Sequence, residues 1–246
     1  ETYTYDCNSN LTKTVDKNGN TLKNTYDNKN RLTERTAKEK KTGKETVHTY
    51  RYNAYGDVAV QDDTQFVYGD VSGQVTKETT KLTKNKDVVK NYTYDSKGNK
   101  STFSVKAGED TKLSLSYEYD GSSRLISVKD SEGNRAVSYA YDTEGSLSER
   151  QAANGLKTTY GYDYQNRLTS MTNETGKGVV SKYSSTYLKN GQKAEEVSTV
   201  MDKNGKSTKK TAAYTYDMLG RITRETKTGR EDISYTYDAN NNRKQM

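Results

Sequence analysis

The chain has 246 residues, a formal charge of +7 and no Pro or Trp, and only 29% of its residues are apolar, against about 45–50% in ordinary domains. So sparse an apolar content argues against a conventional globular domain and by itself suggests disorder. No run approaches the roughly 20 apolar residues of a transmembrane helix, so no membrane insertion is expected.

The aromatic count opposes disorder. There are 22 Tyr and 2 Phe, whereas disordered chains are poor in aromatics. Tyr buries a ring while its hydroxyl stays wet or bonded, and the abundant Thr favours strands. This composition suits a thin sheet.

In chain order, a Tyr-x-Tyr-Asp unit recurs. It reads Tyr3-Thr-Tyr5-Asp6, Thr25-Tyr26-Asp27, Tyr50-Arg-Tyr52-Asn53 and a degenerate Phe66-Val-Tyr68-Gly69. Then come Tyr92-Thr-Tyr94-Asp95, Tyr117-Glu-Tyr119-Asp120, Tyr139-Ala-Tyr141-Asp142 and Tyr160-Gly-Tyr162-Asp163. A weaker copy at Tyr187-Leu188 precedes Tyr214-Thr-Tyr216-Asp217 and Tyr235-Thr-Tyr237-Asp238. That makes about eleven units, read as a single array over residues 1–246. Second tyrosines are mostly 21–26 residues apart, and residues 60–90 and 176–212 are the least regular stretches.

Each unit has a second half. Six residues after the second Tyr stand Leu11, Leu32, Val58, Leu125, Leu147, Leu168 and Ile222, often preceded by Arg, as at Arg31, Arg124, Arg167 and Arg221. A polar linker ending in Gly or Asn lies between the halves, as at Gly220. A second polar turn, as at Asp16, Asp130 and Asp202, leads to the next Tyr pair. Tyr-x-Tyr places both rings on one face of a strand. Asp opens a turn by bonding its own backbone, and Gly or Asn supplies the positive φ. No 3.6-residue apolar stripe persists, so essentially no helix is expected.

The predicted fold is all-β: tandem antiparallel hairpins in one continuous sheet. Eleven hairpins give about 22 strands and, at about 4.8 Å each, a strip about 105 Å long. Twist would curl it into a curved or spiral form with Tyr and aliphatic residues on one face. Cross-strand stacking of the Tyr rows is expected to hold it together.

The sequence offers no motif that carries chemistry. Positive and negative residues are interspersed, without the one-sided basic stripe of a nucleic-acid binder. Cys7 is the lone Cys, so no internal disulfide forms. His48 is the lone His, which excludes His-rich zinc sets, and a Cys7–His48 nucleophile pair is set aside because both lie at the periphery of repeat copies. No phosphate-binding or nucleophile-elbow motif exists. The Asp residues recur at one repeat position, whereas a catalytic group is usually unique, so turn formation is expected of them. The Asp-x-Asn-Gly turns lack the spacing of a calcium loop. Asn10, Asn91 and Asn173 stand in glycosylation sequons that matter only in a eukaryotic secretory host. No catalytic, metal or cofactor-binding residue is assigned.

Residues 216–223, Tyr-Asp-Met-Leu-Gly-Arg-Ile-Thr, and residues 162–169, with Asn166 in the Gly position, resemble the YD repeat of the Rhs family. Similar repeats occur in bacterial Rhs and wall-associated polymorphic toxins, in Tc toxin B/C components and in teneurins. The resemblance implies a hairpin strip wound into a hollow shell. In toxin members the shell encloses a C-terminal toxic domain. The expectation is therefore a non-enzymatic scaffold, a shell fragment without cargo, with the rest of the shell and a toxin domain as partners. With no Pro in the sequence, no Pro-containing cleavage segment is expected within these residues, nor a leader or a distinct C-terminal domain among them. A secreted or cell-wall setting is expected, and the Lys, Asn and Thr content leans towards a Gram-positive source. The alternative is a surface module whose exposed Tyr rows bind cell-surface glycans.

Overall fold

The computed structural model describes residues 1–70, 73–82, 87–202 and 204–245. Among them are 23 strands and no helix. Twenty-one strands belong to one open antiparallel sheet, and the last two form a separate pair. Contacts divide the chain into two units, Glu1–Ser116 and Tyr117–Met246.

The first unit contains β1 (Thr2–Tyr5), β2 (Leu11–Val15), β3 (Thr21–Tyr26), β4 (Leu32–Lys38), β5 (Glu45–Tyr52), β6 (Val58–Gln61), β7 (Thr64–Tyr68), β8 (Val75–Thr80), β9 (Val88–Tyr94) and β10 (Lys100–Ala107). The unit boundary falls within β11 (Asp110–Tyr119). The second unit contains β12 (Leu125–Lys129), β13 (Arg135–Tyr141), β14 (Leu147–Ala152), β15 (Lys157–Tyr162), β16 (Leu168–Thr175), β17 (Gly178–Tyr187), β18 (Lys193–Met201), β19 (Ser207–Tyr216), β20 (Ile222–Lys227), β21 (Ile233–Ser234), β22 (Thr236–Tyr237) and β23 (Arg243–Gln245). Along each unit's part of the sheet, every strand pairs antiparallel with the next in sequence.

The second Tyr sits directly opposite the aliphatic residue, as in Tyr5↔Leu11, Tyr26↔Leu32 and Tyr162↔Leu168. The preceding residue pairs two positions further on, as in Thr25↔Glu34, so the Thr after the aliphatic residue is bulged. Its hydroxyl bonds across the bulge: Thr169 Oγ1 donates to the Gly161 carbonyl at 3.0 Å, and Thr33 and Thr25 hydroxyls lie 3.2 Å apart. This explains the Thr that follows the aliphatic residue at Thr33, Thr169 and Thr223.

Two copies depart from the expected pattern. The degenerate unit has a loop one residue longer, so Tyr68 pairs with Val75. Near the end, Tyr235 interrupts what should be one strand, although its N–H still donates to the Thr223 carbonyl at 2.9 Å.

The sheet has little core. The buried residues among those described are Val128, Asn24, Ser127, Thr158 and Ser181, four of them polar. Pairing, turns and half-buried rings must therefore carry the stability. The turns show where it can be raised. Ser123 adopts φ +62° where Gly220 adopts +81°, a left-handed region costing about 1–2 kcal/mol for a residue with a Cβ. Ser123→Gly should stabilise the chain by about 1 kcal/mol, and Gly220→Ala should destabilise it at least as much. A Cβ on Gly220 would also meet Gln192 Nε2 at 3.0 Å. Thermal midpoints of the two variants check the opposite signs.

Candidate functional site: an interlock between successive hairpins

Each Tyr-Asp turn is organised by its carboxylate. Asp27 Oδ1 accepts the Lys29 and Arg31 backbone N–H groups at 2.9 and 3.0 Å. Its Oδ2 receives Arg31 Nε at 2.8 Å and Nη2 at 2.7 Å. The arrangement recurs at Asp120–Arg124, Asp163–Arg167 and Asp217–Arg221. At Asp6, Asp95 and Asp238, Asn10, Asn99 and Asn242 replace the Arg. Asp142 holds the Ser146 N–H at 2.7 Å. Asp16, Asp130 and Asp202 build the same backbone turn on the other kind of connection. Donors aimed at these carboxylates favour the charged form. The Arg31 and Arg167 side chains foremost hold Asp27 and Asp163 below the usual carboxylate range. At Asp120 and Asp217 the leading cause is the backbone N–H of Arg124 and Arg221.

The second Tyr closes onto the preceding unit. Tyr26 OH donates to the Leu11 carbonyl at 2.9 Å, Tyr52 to Leu32 at 2.7 Å and Tyr68 to Val58 at 2.9 Å. Tyr94, Tyr141, Tyr162, Tyr187, Tyr216 and Tyr237 do the same to Val75, Leu125, Leu147, Leu168, Lys193 and Ile222 at 2.8–3.0 Å. Burial raises the phenol pKa at Tyr68, Tyr94, Tyr141, Tyr162 and Tyr216.

The Arg that closes one turn covers the ring of the next unit. Arg31 lies 4.5 Å from the Tyr52 centroid, Arg124 4.5 Å from Tyr141, Arg167 4.7 Å from Tyr187 and Arg221 4.4 Å from Tyr237. Asp fixes Arg, Arg covers the next Tyr, and that Tyr bonds the carbonyl of the residue following Arg. One register accompanies all nine closures: the residue two after the bonded carbonyl faces the residue three before the Tyr. Examples are Lys13↔Lys23, Glu34↔Thr49, Glu149↔Thr159 and Arg224↔Ser234. Turns are also tied to one another. Asn10 Nδ2 donates to Asn30 Oδ1 at 2.9 Å, Gln192 Nε2 to the Gly220 carbonyl at 2.7 Å, and Arg221 Nη1 to Asn241 Oδ1 at 2.7 Å.

Ring-on-ring stacking is a lesser device than expected. Tyr92 and Phe103 meet at 5.1 Å between centroids, but the recurrent partner of a second Tyr is Arg. The first tyrosines are more varied. Tyr3 donates to Glu1 at 2.6 Å, Tyr92 to Glu78 at 2.7 Å and Tyr235 to Glu225 at 3.2 Å. Tyr117, Tyr139, Tyr160 and Tyr214 are half-buried, and Tyr119 ends β11 before the Asp120 turn. Leu168 offers its carbonyl to Tyr187. Cys7 is exposed in the first turn, whereas His48 Nδ1 lies 2.8 Å from Asp62 Oδ2. Arg-on-Tyr coupling and turn-to-turn bonds escaped the sequence reading because their partners stand about 20 residues apart.

This arrangement defines a tandem β-hairpin repeat whose distinctive side chains join one repeat to the next. The family model described as teneurin YD-shell matches residues 1–137 and 77–246, and the chain belongs to that family. It is thus a structural scaffold of the YD-shell type. No curated protein sequence matches it. Similar solved structures include TcdB2-TccC3-TEV, with TM-score 0.65, 12% identity and coverage of 96% of this chain and 16% of that one. Another is TcdB2-TccC3-Cdc42, with TM-score 0.63, 13% identity and coverage of 96% and 16%. TcdB2-TccC3 without its hypervariable C-terminal region has TM-score 0.63, 13% identity and coverage of 99% and 16%. The chain spans about 16% of the length of these chains.

Proposed function

We propose that this chain is a wall segment of a hollow β-shell that encloses and presents a C-terminal toxin domain. The observation that carries this reading is that, among the described residues, nine of the units are each closed by the same tyrosine-to-carbonyl bond. Side chains so engaged serve cohesion, so the segment acts mechanically and not as an enzyme. Its residues 1–246 act as one array of hairpins, and the structural motif consists of the Tyr, Asp, Arg and aliphatic positions described above. The partners are the remainder of the shell and the enclosed domain, in a secreted or cell-surface protein. Similarity to the TcdB2-TccC3 structures supports this reading. The glycan reading is weaker, because Arg covers ring faces that a sugar would need.

The test is limited proteolysis of the full-length parent protein. The C-terminal domain should resist protease in the intact protein and become labile when shell turns are weakened by Asp→Ala changes at Asp163 and Asp217. Equal cleavage rates in both proteins would overturn the encapsulation reading.

A further inference from the structure

The repeat is least regular over residues 176–212, and the structure answers with its own departure there. Strands β17, β18 and β19 have 10, 9 and 10 residues in succession, whereas β12–β15 have 5–7; elsewhere among the described residues only β11, with 10, is as long. Where β19 outruns β20, a cavity of about 300 Å³ opens, lined by Ser198, Lys210, Ala212, Lys227, Thr228 and Arg230, with Glu196 and Thr211 at its wall. That volume is at the lower end of small-molecule sites. The chain turns at its mouth through the Arg230 N–H to Lys227 carbonyl bond of 3.2 Å, and the small Ala212 opposite Lys227 leaves space.

Charge is unbalanced in this cavity. Glu196 is neutralised by Lys193 at 2.6 Å, and Lys227 by Glu225 at 2.7 Å. Neither Lys210 nor Arg230 forms an ion pair within 4.0 Å among the described residues, although Arg230 lies in the field of Glu225, whose own ion pair is with Lys227. Ser198 directly faces Lys210 and adds a hydroxyl able to donate or accept. Two cations from separate elements that are not committed to an ion pair, a hydroxyl and a concave floor form a receptor for a compact oxyanion.

We propose that the β18–β20 cavity binds a ligand through a phosphate, sulfate or carboxylate group. Lys210 supplies a point charge, Arg230 a planar fork, and Ser198 a hydroxyl to the oxyanion or an adjoining polar atom. The site is independent of the cargo reading, because it needs neither an enclosed domain nor a closed shell.

Lys209 and Lys210 provide the decisive comparison. They are neighbours in β19, and strand alternation puts them on opposite faces; Lys209 lines a different cavity with Lys182 and Thr199. Lys209→Gln and Lys210→Gln therefore remove the same charge. Inorganic phosphate, inorganic sulfate and a uronic-acid trisaccharide would be titrated into the full chain at low salt, following backbone amide shifts by NMR. Lys210→Gln and Arg230→Gln should each weaken binding about 5–10-fold, with shifts centred on residues 196–198, 210–212 and 227–230, while Lys209→Gln leaves affinity unchanged. Tighter binding of the trisaccharide than of either inorganic ion identifies a saccharide source for the oxyanion, and equal affinities identify the free ion. Equal weakening by all three variants would reveal attraction to the basic chain as a whole and overturn the site. Loss with Lys209→Gln alone, or no binding of any probe, would overturn it as well.

Discussion

Tyr162→Ala is expected to destabilise the second unit by about 2–3 kcal/mol, and Tyr162→Phe by about 1 kcal/mol. The smaller effect is the loss of the 3.0 Å bond from the hydroxyl to the Leu147 carbonyl, close to the net value of one intramolecular hydrogen bond. The larger effect adds the apolar contribution of a half-buried ring. Two controls separate this closure from any general need for tyrosine. Tyr5 is 59% exposed, and its hydroxyl has no partner among the described residues; Tyr164 is 90% exposed. Tyr5→Phe and Tyr164→Ala should both lie within about 0.5 kcal/mol of the parent. Denaturant unfolding gives the totals. Hydrogen exchange locates them, because a repeat stabilised by its neighbours should lose protection first at the weakened interface, in β14 and β15. Equal destabilisation by Tyr162→Phe and Tyr5→Phe would show that the hydroxyl bonds contribute nothing.

The repeat was legible because its signals are local. Tyr-x-Tyr has the period of a strand, and Asp followed three residues later by Gly or Asn spells out the turn, as at Asp217 and Gly220. The aliphatic residue six positions after the Tyr also lands where register places it, as in Tyr141↔Leu147. What sequence reasoning missed lies between repeats. Arg31 stands beside Leu32 in the repeat, but nothing local says that it covers Tyr52, 21 residues away. The expected rows of stacked tyrosines suffer from the same limit, since period-two alternation gives a face without its partner. The cavity beside Arg230 was equally hidden: it arises from unequal strand lengths, which no single residue announces. Asp62 is a further case. Its φ of +51° breaks the Gly/Asn preference, and its carboxylate compensates by accepting the Thr49 N–H at 2.7 Å while facing His48.

The interlock, together with the Asp16 and Asp62 turns, should confine stability to a pH window whose two sides have different origins. On the acid side, Asp6, Asp16, Asp27, Asp62, Asp95, Asp120, Asp163, Asp217 and Asp238 all have folded pKa values lowered from 3.8. The unfolded chain then binds more protons than the folded one, so stability rises with pH through this range. Their contribution is full above about pH 4 and lost as pH falls through the folded values. On the alkaline side, Tyr68, Tyr94, Tyr141, Tyr162 and Tyr216 are raised above 10.0, chiefly by burial. Here the folded chain retains protons that the unfolded chain has released, so stability falls as pH rises. This contribution is full below about pH 10 and disappears through the folded values, because a phenolate cannot donate to the carbonyl it closes upon. The thermal midpoint should therefore be nearly flat between about pH 5 and 9 and fall on either side. A chain carrying Tyr162→Phe and Tyr216→Phe should keep the acid arm and show a shallower alkaline one. A midpoint that already declines between pH 6 and 8, or an alkaline arm indifferent to those two hydroxyls, would assign the window to groups outside the interlock.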